Sequence, residues 1–111
     1  MTVIAKPLAT SDYAPAVQTT VYTAGTSTRT IIDKCTAYNG SVSAVPITVN
    51  IVPSAGTAGA DNVIAVKAVS AGETYTFPEV VGHVLETGEF VSIVAGSASA
   101  LVFRMSGREI T

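Results

Sequence analysis

The feature that most constrains the fold of this chain is a succession of short β-type segments separated by turn residues. The segments are rich in Val, Ile, Thr and aromatic residues, and Gly, Pro, Asn or Ser close each one, a pattern typical of strands. The expected strands cover residues 17–23, 28–38, 47–51, 62–69, 73–77, 90–95 and 101–106, whereas residues 79–85 form at most a short helical turn. This pattern predicts an all-β, single-domain antiparallel β-sandwich, jelly-roll-like, with an extended N-terminal arm.

Alternation within the strands predicts which side chains face the core, because successive side chains of a strand point to opposite faces of the sheet. Two segments alternate clearly between apolar and polar residues. Their apolar members are expected to face inward: Ile47, Val49, Ile51, Leu101, Phe103 and Met105. Residues 54–61 read as a flexible loop of small residues. The order of the strands within the sheets stays open at this level.

The first sixteen residues differ from the rest of the chain. Pro7 and Pro15 bracket a stretch without clear period, and proline removes a backbone donor, so this stretch is expected to stay outside a sheet. Residues 1–16 are therefore predicted to form an extended arm and residues 17–111 the β-sandwich domain, with a frayed terminus as the alternative. The apolar anchors of this arm would be Val3, Ile4, Leu8 and Tyr13.

Charged residues are scarce for a domain of this size. Hydrophobic residues make up 48% of the 111 positions and charged residues 13%, against about 25% in typical globular proteins. A small domain has a large surface relative to its core, so this scarcity indicates that much of the surface faces other protein. Open sheet edges on such a domain also favour self-association. We therefore expect a homodimer or another homo-oligomer.

Few residues are available for chemistry, with one His, one Cys and no Trp in the chain. His83 is the only imidazole that could act as a base and lies outside any nucleophile signature. Glu79, Glu86 and Glu89 read as a solvated acidic rim. One His and one Cys do not build a zinc site, and residues 56–59 lack the Lys of a phosphate-binding loop. No catalytic, cofactor-binding or metal-binding residues are expected, which favours a structural or binding protein over an enzyme.

Two further partner classes are disfavoured by composition. Lys and Arg do not cluster and the net charge is −2, whereas nucleic-acid binding relies on clustered basic residues. No window approaches the ~18 apolar residues of a membrane span, and residues 1–7 lack the apolar region of a signal peptide. Cys35 lies in an alternating strand pattern and is expected to be a buried, inert thiol. Production in a reducing cytoplasm fits this cysteine usage.

Between Thr28 and Thr111 the chain resembles small structural proteins of tailed bacteriophages, most of all the capsid decoration, or cement, proteins of the epsilon15 type. The stretches that carry the resemblance are turn and strand signatures, and the N-terminal arm is outside it. They are residues 28–33, 38–40, 47–53, 71–75, 82–89 and 106–110. The resemblance implies a jelly-roll-like domain on the outer surface of a virion capsid, often as dimers that bridge neighbouring subunits of the major capsid protein. It carries no catalytic residues.

Three hypotheses about contacts and function follow. Contact with the capsid is assigned to the arm and to the C-terminal residues Arg104 and Arg108. A different virion role, such as a head–tail connector or a tail or fibre-associated module, would share the β architecture. The third alternative is a carbohydrate-binding module that stacks sugars on its tyrosines: Tyr13, Tyr22, Tyr38 and Tyr75.

Overall fold

The computed structural model describes all 111 residues, and the chain folds into nine β-strands and one turn of 3-10 helix. The strands are β1 Val3–Tyr13, β2 Thr19–Thr23, β3 Arg29–Asn39, β4 Val45–Val52, β5 Val63–Val69, β6 Thr74–Tyr75, β7 Val84–Leu85, β8 Phe90–Ala95 and β9 Leu101–Ile110. The 3-10 turn is Ala60–Asn62. Each of the expected strands is present, and β6 is shorter than expected because Phe77 leaves the strand with a positive φ of 45°.

The strands form two antiparallel sheets. Sheet 1 has the order β1-β9-β3-β6, with β7 also pairing with β3, and sheet 2 has the order β2-β8-β4-β5. β6 and β7 pair with opposite ends of β3 and together act as one interrupted strand. When β6 and β7 are counted as one strand, the chain changes sheet at every connection except the β4–β5 hairpin. The resulting strand order is that of a jelly roll. The predicted β-sandwich is confirmed.

The core lies between the two sheets and follows the predicted alternation. Five of the six side chains expected to face inward are at most 3% exposed, and Ile51 is partly buried against them. The Phe77 ring makes edge-on contacts with Tyr75 and Phe103, with ring centroids 4.8 and 6.2 Å apart. Cys35 is fully buried as expected, and this burial raises the pKa of its thiol to about 12.

The loop of residues 53–62 covers part of the outer side of sheet 2. Asn50 alternates with the inward-facing Val49, yet it is only 2% exposed, because the loop packs over it. Its amide nitrogen donates to the Gly59 carbonyl at 3.0 Å and to Asn62 Oδ1 at 2.7 Å. Val52 is also fully buried without belonging to the core between the sheets. This loop, predicted to be flexible, is therefore anchored to the sheet.

The N-terminal segment is an edge strand of sheet 1 instead of an arm outside it. β1 pairs with β9 from Val3 opposite Ile110 to Tyr13 opposite Val102, so the expectation that the prolines exclude this segment from a sheet is wrong. Thr2 and Thr111 exchange both backbone hydrogen bonds at 2.9 Å. Hydrogen-bonding direction alternates along a strand, so the missing N–H of Pro7 faces away from β9. An edge strand tolerates proline at such a position.

Candidate partner-binding surface

The four predicted anchors of the N-terminal segment lie at different depths. Val3, Ile4 and Tyr13 are 50%, 51% and 54% exposed on β1, so their side chains are available to a partner. Leu8 is 7% exposed and belongs to the core, which corrects its prediction as a surface anchor. It is buried because β1 packs in the sheet and turns this side chain inward.

The two arginines predicted to contact a partner lie on β9, directly beside β1. Arg108 donates from Nε and Nη2 to both carboxylate oxygens of Asp33 at 2.9 Å, and these hydrogen bonds lower the pKa of the Asp33 carboxyl. The charge of Arg108 is therefore neutralised by Asp33 within the chain. Arg104 donates to the Ser11 hydroxyl at 3.3 Å and forms no ion pair. The structure thus places the two predicted contact segments on adjacent strands of sheet 1, the edge strand β1 and its neighbour β9.

The sandwich has two lateral sides, at which the edge strands of the two sheets face each other. On the side between β5 and β6, polar side chains bridge the sheets. The Lys67 ammonium lies 3.7 Å from Glu73 Oε2 and 5.0 Å from the centre of the Tyr75 ring. The Tyr75 hydroxyl donates to Glu79, and this hydrogen bond is the main reason that the pKa of Tyr75 is raised to about 12. These contacts cover the apolar interior along that side.

One end of the opposite side, between β1 and β2, is closed in a similar way. The Tyr22 hydroxyl donates to Glu109 and accepts from Thr30 at 2.7 Å, and the Lys6 ammonium lies 3.4 Å from Glu109 Oε1. Burial, followed by the hydrogen bond to Glu109, raises the pKa of Tyr22 to about 12. This network joins the edge strands of the two sheets.

The rest of the β1–β2 side is open and forms a groove of about 360 Å³, which we call the β1–β2 groove. Its walls include the buried core residues Ile93 and Phe103 together with the partly buried Ala9 and Val21, and its rim carries Asp12 and Tyr13. The register between β1 and β9 shifts twice, between Pro7 and Ala9 and between Ala9 and Asp12. Such bulges bend a strand and redirect its side chains, which explains why β1 leaves this gap.

No arrangement of catalytic or metal-binding side chains accompanies the groove. His83 is exposed in the turn before β7, and Glu86 forms an ion pair with Arg29 at 3.1 Å. Glu89 accepts the backbone N–H of Glu86 at 2.7 Å. No group of three or more His, Cys, Asp or Glu side chains is placed to hold a metal ion. None of the helical structure has the length and apolarity that crossing a bilayer requires.

The tyrosines considered for sugar stacking are divided between two environments. Tyr22 and Tyr75 are engaged in hydrogen bonds within the chain. Tyr13 on β1 and Tyr38 on β3 are the two cross-strand neighbours of Val102 on β9. Their side chains are 54% and 45% exposed. The strand order of sheet 1 therefore brings two exposed tyrosines to one row of the sheet, about 10 Å apart across β9.

Sequence reasoning missed the groove and the row of tyrosines. Both depend on β1 lying beside β9 and on β1 and β2 being edge strands of opposite sheets. The only local signal was the exposed aromatic Tyr13 next to the acidic Asp12. Neither residue identifies a groove without the strand order.

No protein-family model and no curated protein matches the chain. Among solved structures, the chain is similar to one of infectious bursal disease virus, Gx strain, with 17% identity, a TM-score of 0.45 and coverage of 97% of this chain and 32% of that chain. A structure of the Gt strain shows 14% identity, a TM-score of 0.38 and the same coverage. The chain spans about a third of the length of the solved chains it matches.

Proposed function

We propose that this chain is a structural virion protein that binds the outer surface of a phage capsid and bridges neighbouring subunits of the major capsid protein. The observation that carries the proposal is the set of exposed apolar side chains along the β1 side of a charge-poor sandwich. Val3, Ile4, Tyr13 and Val17 are 50%, 51%, 54% and 70% exposed there. Val3 and Ile4 lie at the Ile110 end of β1 and Tyr13 at its Val102 end, so these side chains are distributed along the edge strand of sheet 1. An edge strand with exposed apolar side chains is a surface that a partner protein can cover.

The proposed role also has a physical rationale in the number of copies on a shell. A protein that clamps adjacent subunits opposes their separation, and each copy needs to contribute only about a few kcal/mol because many contacts act together. The resemblance to capsid decoration proteins points to the same role. In this role the protein acts without catalysis, sits on the outside of the virion and self-associates, most simply as a homodimer.

Binding to empty heads tests the proposal directly. The purified chain is mixed with heads of the parent phage stripped of accessory proteins, the heads are sedimented, and bound copies are counted. Saturable binding in a fixed ratio to the major capsid protein is expected. The double variant V3K/I4K should bind at least about tenfold more weakly, because it places charges on the apolar contact. The matched control is Val42→Lys, since Val42 is 98% exposed in the β3–β4 connection.

Absence of saturable binding by a folded chain would reject the head-surface role. The symmetry of the assembly separates this role from the other virion roles. A head protein forms dimers or trimers on icosahedral axes, whereas connector and tail components form threefold, sixfold or twelvefold rings. Electron microscopy of the assembled particle distinguishes these arrangements.

A second candidate function is carbohydrate binding, favoured by the row that Tyr13, Val102 and Tyr38 form on sheet 1. The two tyrosines stand on strands whose backbones are about 10 Å apart, and each exposed aromatic ring can offer an apolar face to a sugar ring. A glycan array tests this function, and binding that is lost in the Y13A/Y38A variant would support it. An array without hits for the wild-type chain would reject it.

A further inference from the structure

We propose that the β1–β2 groove binds an extended segment of a partner protein. The segment places one large apolar side chain in the groove and pairs an adjacent Lys or Arg with Asp12. This inference rests on the proposed shell-binding function and deepens it, because it adds the groove to the exposed residues of β1 as a contact site and states the chemistry of the partner segment that enters it.

The shape and polarity of the groove support an apolar side chain as its occupant. A volume of about 360 Å³ lies within the range of about 300–1,000 Å³ that is usual for ligand clefts. Ile93, Phe103 and Val21 line it, so an apolar group that entered would lose contact with water on several sides. The opposite side of the sandwich is covered by Lys67, Glu73 and Tyr75. In the groove, by contrast, the core residues Ile93 and Phe103 line an open cleft.

The charge of the groove supports a basic neighbour for that side chain. Asp12 is the only charged residue in the lining. Its Oδ1 accepts the backbone N–H of Tyr13 at 2.7 Å, and no Lys or Arg pairs with it. Four of the eight acidic side chains are ion-paired within the chain, and among the unpaired ones Asp12 alone lines the groove. A partner cation at Asp12 would complete an ion pair at the rim of an apolar cavity.

The strands that flank the groove favour a peptide segment over a small molecule. β1 and β2 are the outermost strands of their sheets, so their outward-facing backbone N–H and C=O groups have no partner strand. An extended chain hydrogen-bonds such an edge while its alternate side chains enter neighbouring pockets. A small molecule would fill the cavity without using the edges.

A peptide titration followed by NMR tests this chemistry without a capsid. The ¹⁵N-labelled protein is titrated with three probes of equal length: acetyl-Lys-Phe-Lys-amide, acetyl-Glu-Phe-Glu-amide and acetyl-Lys-Ser-Lys-amide. Saturable shifts of the amide signals of Thr10, Val21 and Ile93 are expected with the first probe. Binding should be at least about fivefold weaker with the other two, because each lacks one of the two required features.

Two variants locate the binding and one serves as a control. Asp12→Asn keeps an acceptor for the Tyr13 N–H but removes the negative charge. It should lower the affinity for the first probe about fivefold. Ala9→Leu adds carbon atoms inside the groove and should abolish binding. Asp61→Asn removes a charge from the exposed 3-10 turn and should leave binding unchanged. The dispersion of each variant's spectrum verifies that it is folded.

Several results would overturn the inference. They are shifts outside the groove, equal binding of the acidic probe, or equal binding by free phenethylamine, which would indicate a small-molecule pocket. Head binding separates this inference from the proposed function. If Asp12→Asn and Ala9→Leu bind heads like the wild type, the groove inference fails and the shell-binding function stands. If the first probe binds the groove but the chain binds no heads, the function fails and the chemistry of the groove stands.

Discussion

At the scale of single residues, Tyr22 joins the two sheets by hydrogen bonds to Thr30 and Glu109. Tyr22→Phe should lower the free energy of unfolding by about 1–2 kcal/mol, because it leaves two partners in a half-buried site without a hydrogen bond. Urea denaturation followed by circular dichroism measures this loss. The matched control is Tyr38→Phe, whose tyrosine is 45% exposed on β3 and which should change stability by less than about 0.5 kcal/mol. Equal effects of the two variants would contradict the assigned role.

The same network predicts a loss of stability at alkaline pH. The pKa of Tyr22 is about 12 in the folded chain, against about 10 in an unfolded chain. Between these values the unfolded state releases the proton and the folded state keeps it, so the stabilisation is complete below about pH 10 and is lost as the pH rises towards about 12. Unfolding measured at a series of pH values should show a smaller alkaline loss for Tyr22→Phe than for the wild type. The same loss in both would show that Tyr22 is not responsible.

Gly107 allows close approach of β9 to its neighbours. A Cβ atom at this position would collide with the Ile31 carbonyl oxygen and lie 2.9 Å from Leu8 Cδ1. Gly107→Ala should therefore lower the free energy of unfolding by about 1–3 kcal/mol or more. Gly25→Ala is the control, since its Cβ would meet its nearest neighbour, Thr28 Oγ1, at 3.6 Å. Thermal denaturation compares the two, and an unaffected Gly107→Ala would show that the strands can separate at little cost.

At the scale of elements, β1 contributes both to the fold and to the exposed surface. Leu8→Ala should lower the free energy of unfolding by about 2–4 kcal/mol because Leu8 is in the core, whereas Ile4→Ala should lower it by less than about 1 kcal/mol because Ile4 is 51% exposed. Deleting residues 1–14 should cause unfolding or aggregation, since it opens the edge of β9. Size-exclusion chromatography and circular dichroism check this result. A folded, monodisperse truncated chain would restore the interpretation of this segment as a separable arm.

At the scale of the whole molecule, the strand order predicts slow folding. β1 pairs with β9 and β2 pairs with β8, so most pairings join residues far apart in the chain. Because such non-local contacts require loop closure before they stabilise the fold, we expect folding in about milliseconds to seconds. A single cooperative transition is also expected for a domain of this size. Stopped-flow refolding from urea measures the rate, and folding within microseconds would contradict this interpretation.

The sequence by itself determined the fold class, most strand positions and the inward faces of the strands. Ile47, Val49, Leu101, Phe103 and Met105 are buried as alternation predicts, because the direction of a side chain in a strand is a local property. Burial of Cys35 followed from the same rule. These features depend on the residues within one segment and need no information about its neighbours.

Only the tertiary structure decided where β1 lies, which residues surround the groove and which charges are neutralised. Pro7 correctly signals the loss of a backbone donor, but whether that donor is needed depends on which side of β1 faces β9. Arg108 and Asp33 are far apart in the chain and form an ion pair because β3 lies next to β9. The β1–β2 groove exists because two edge strands of different sheets face each other. Such features arise from long-range pairing, which local propensity does not specify.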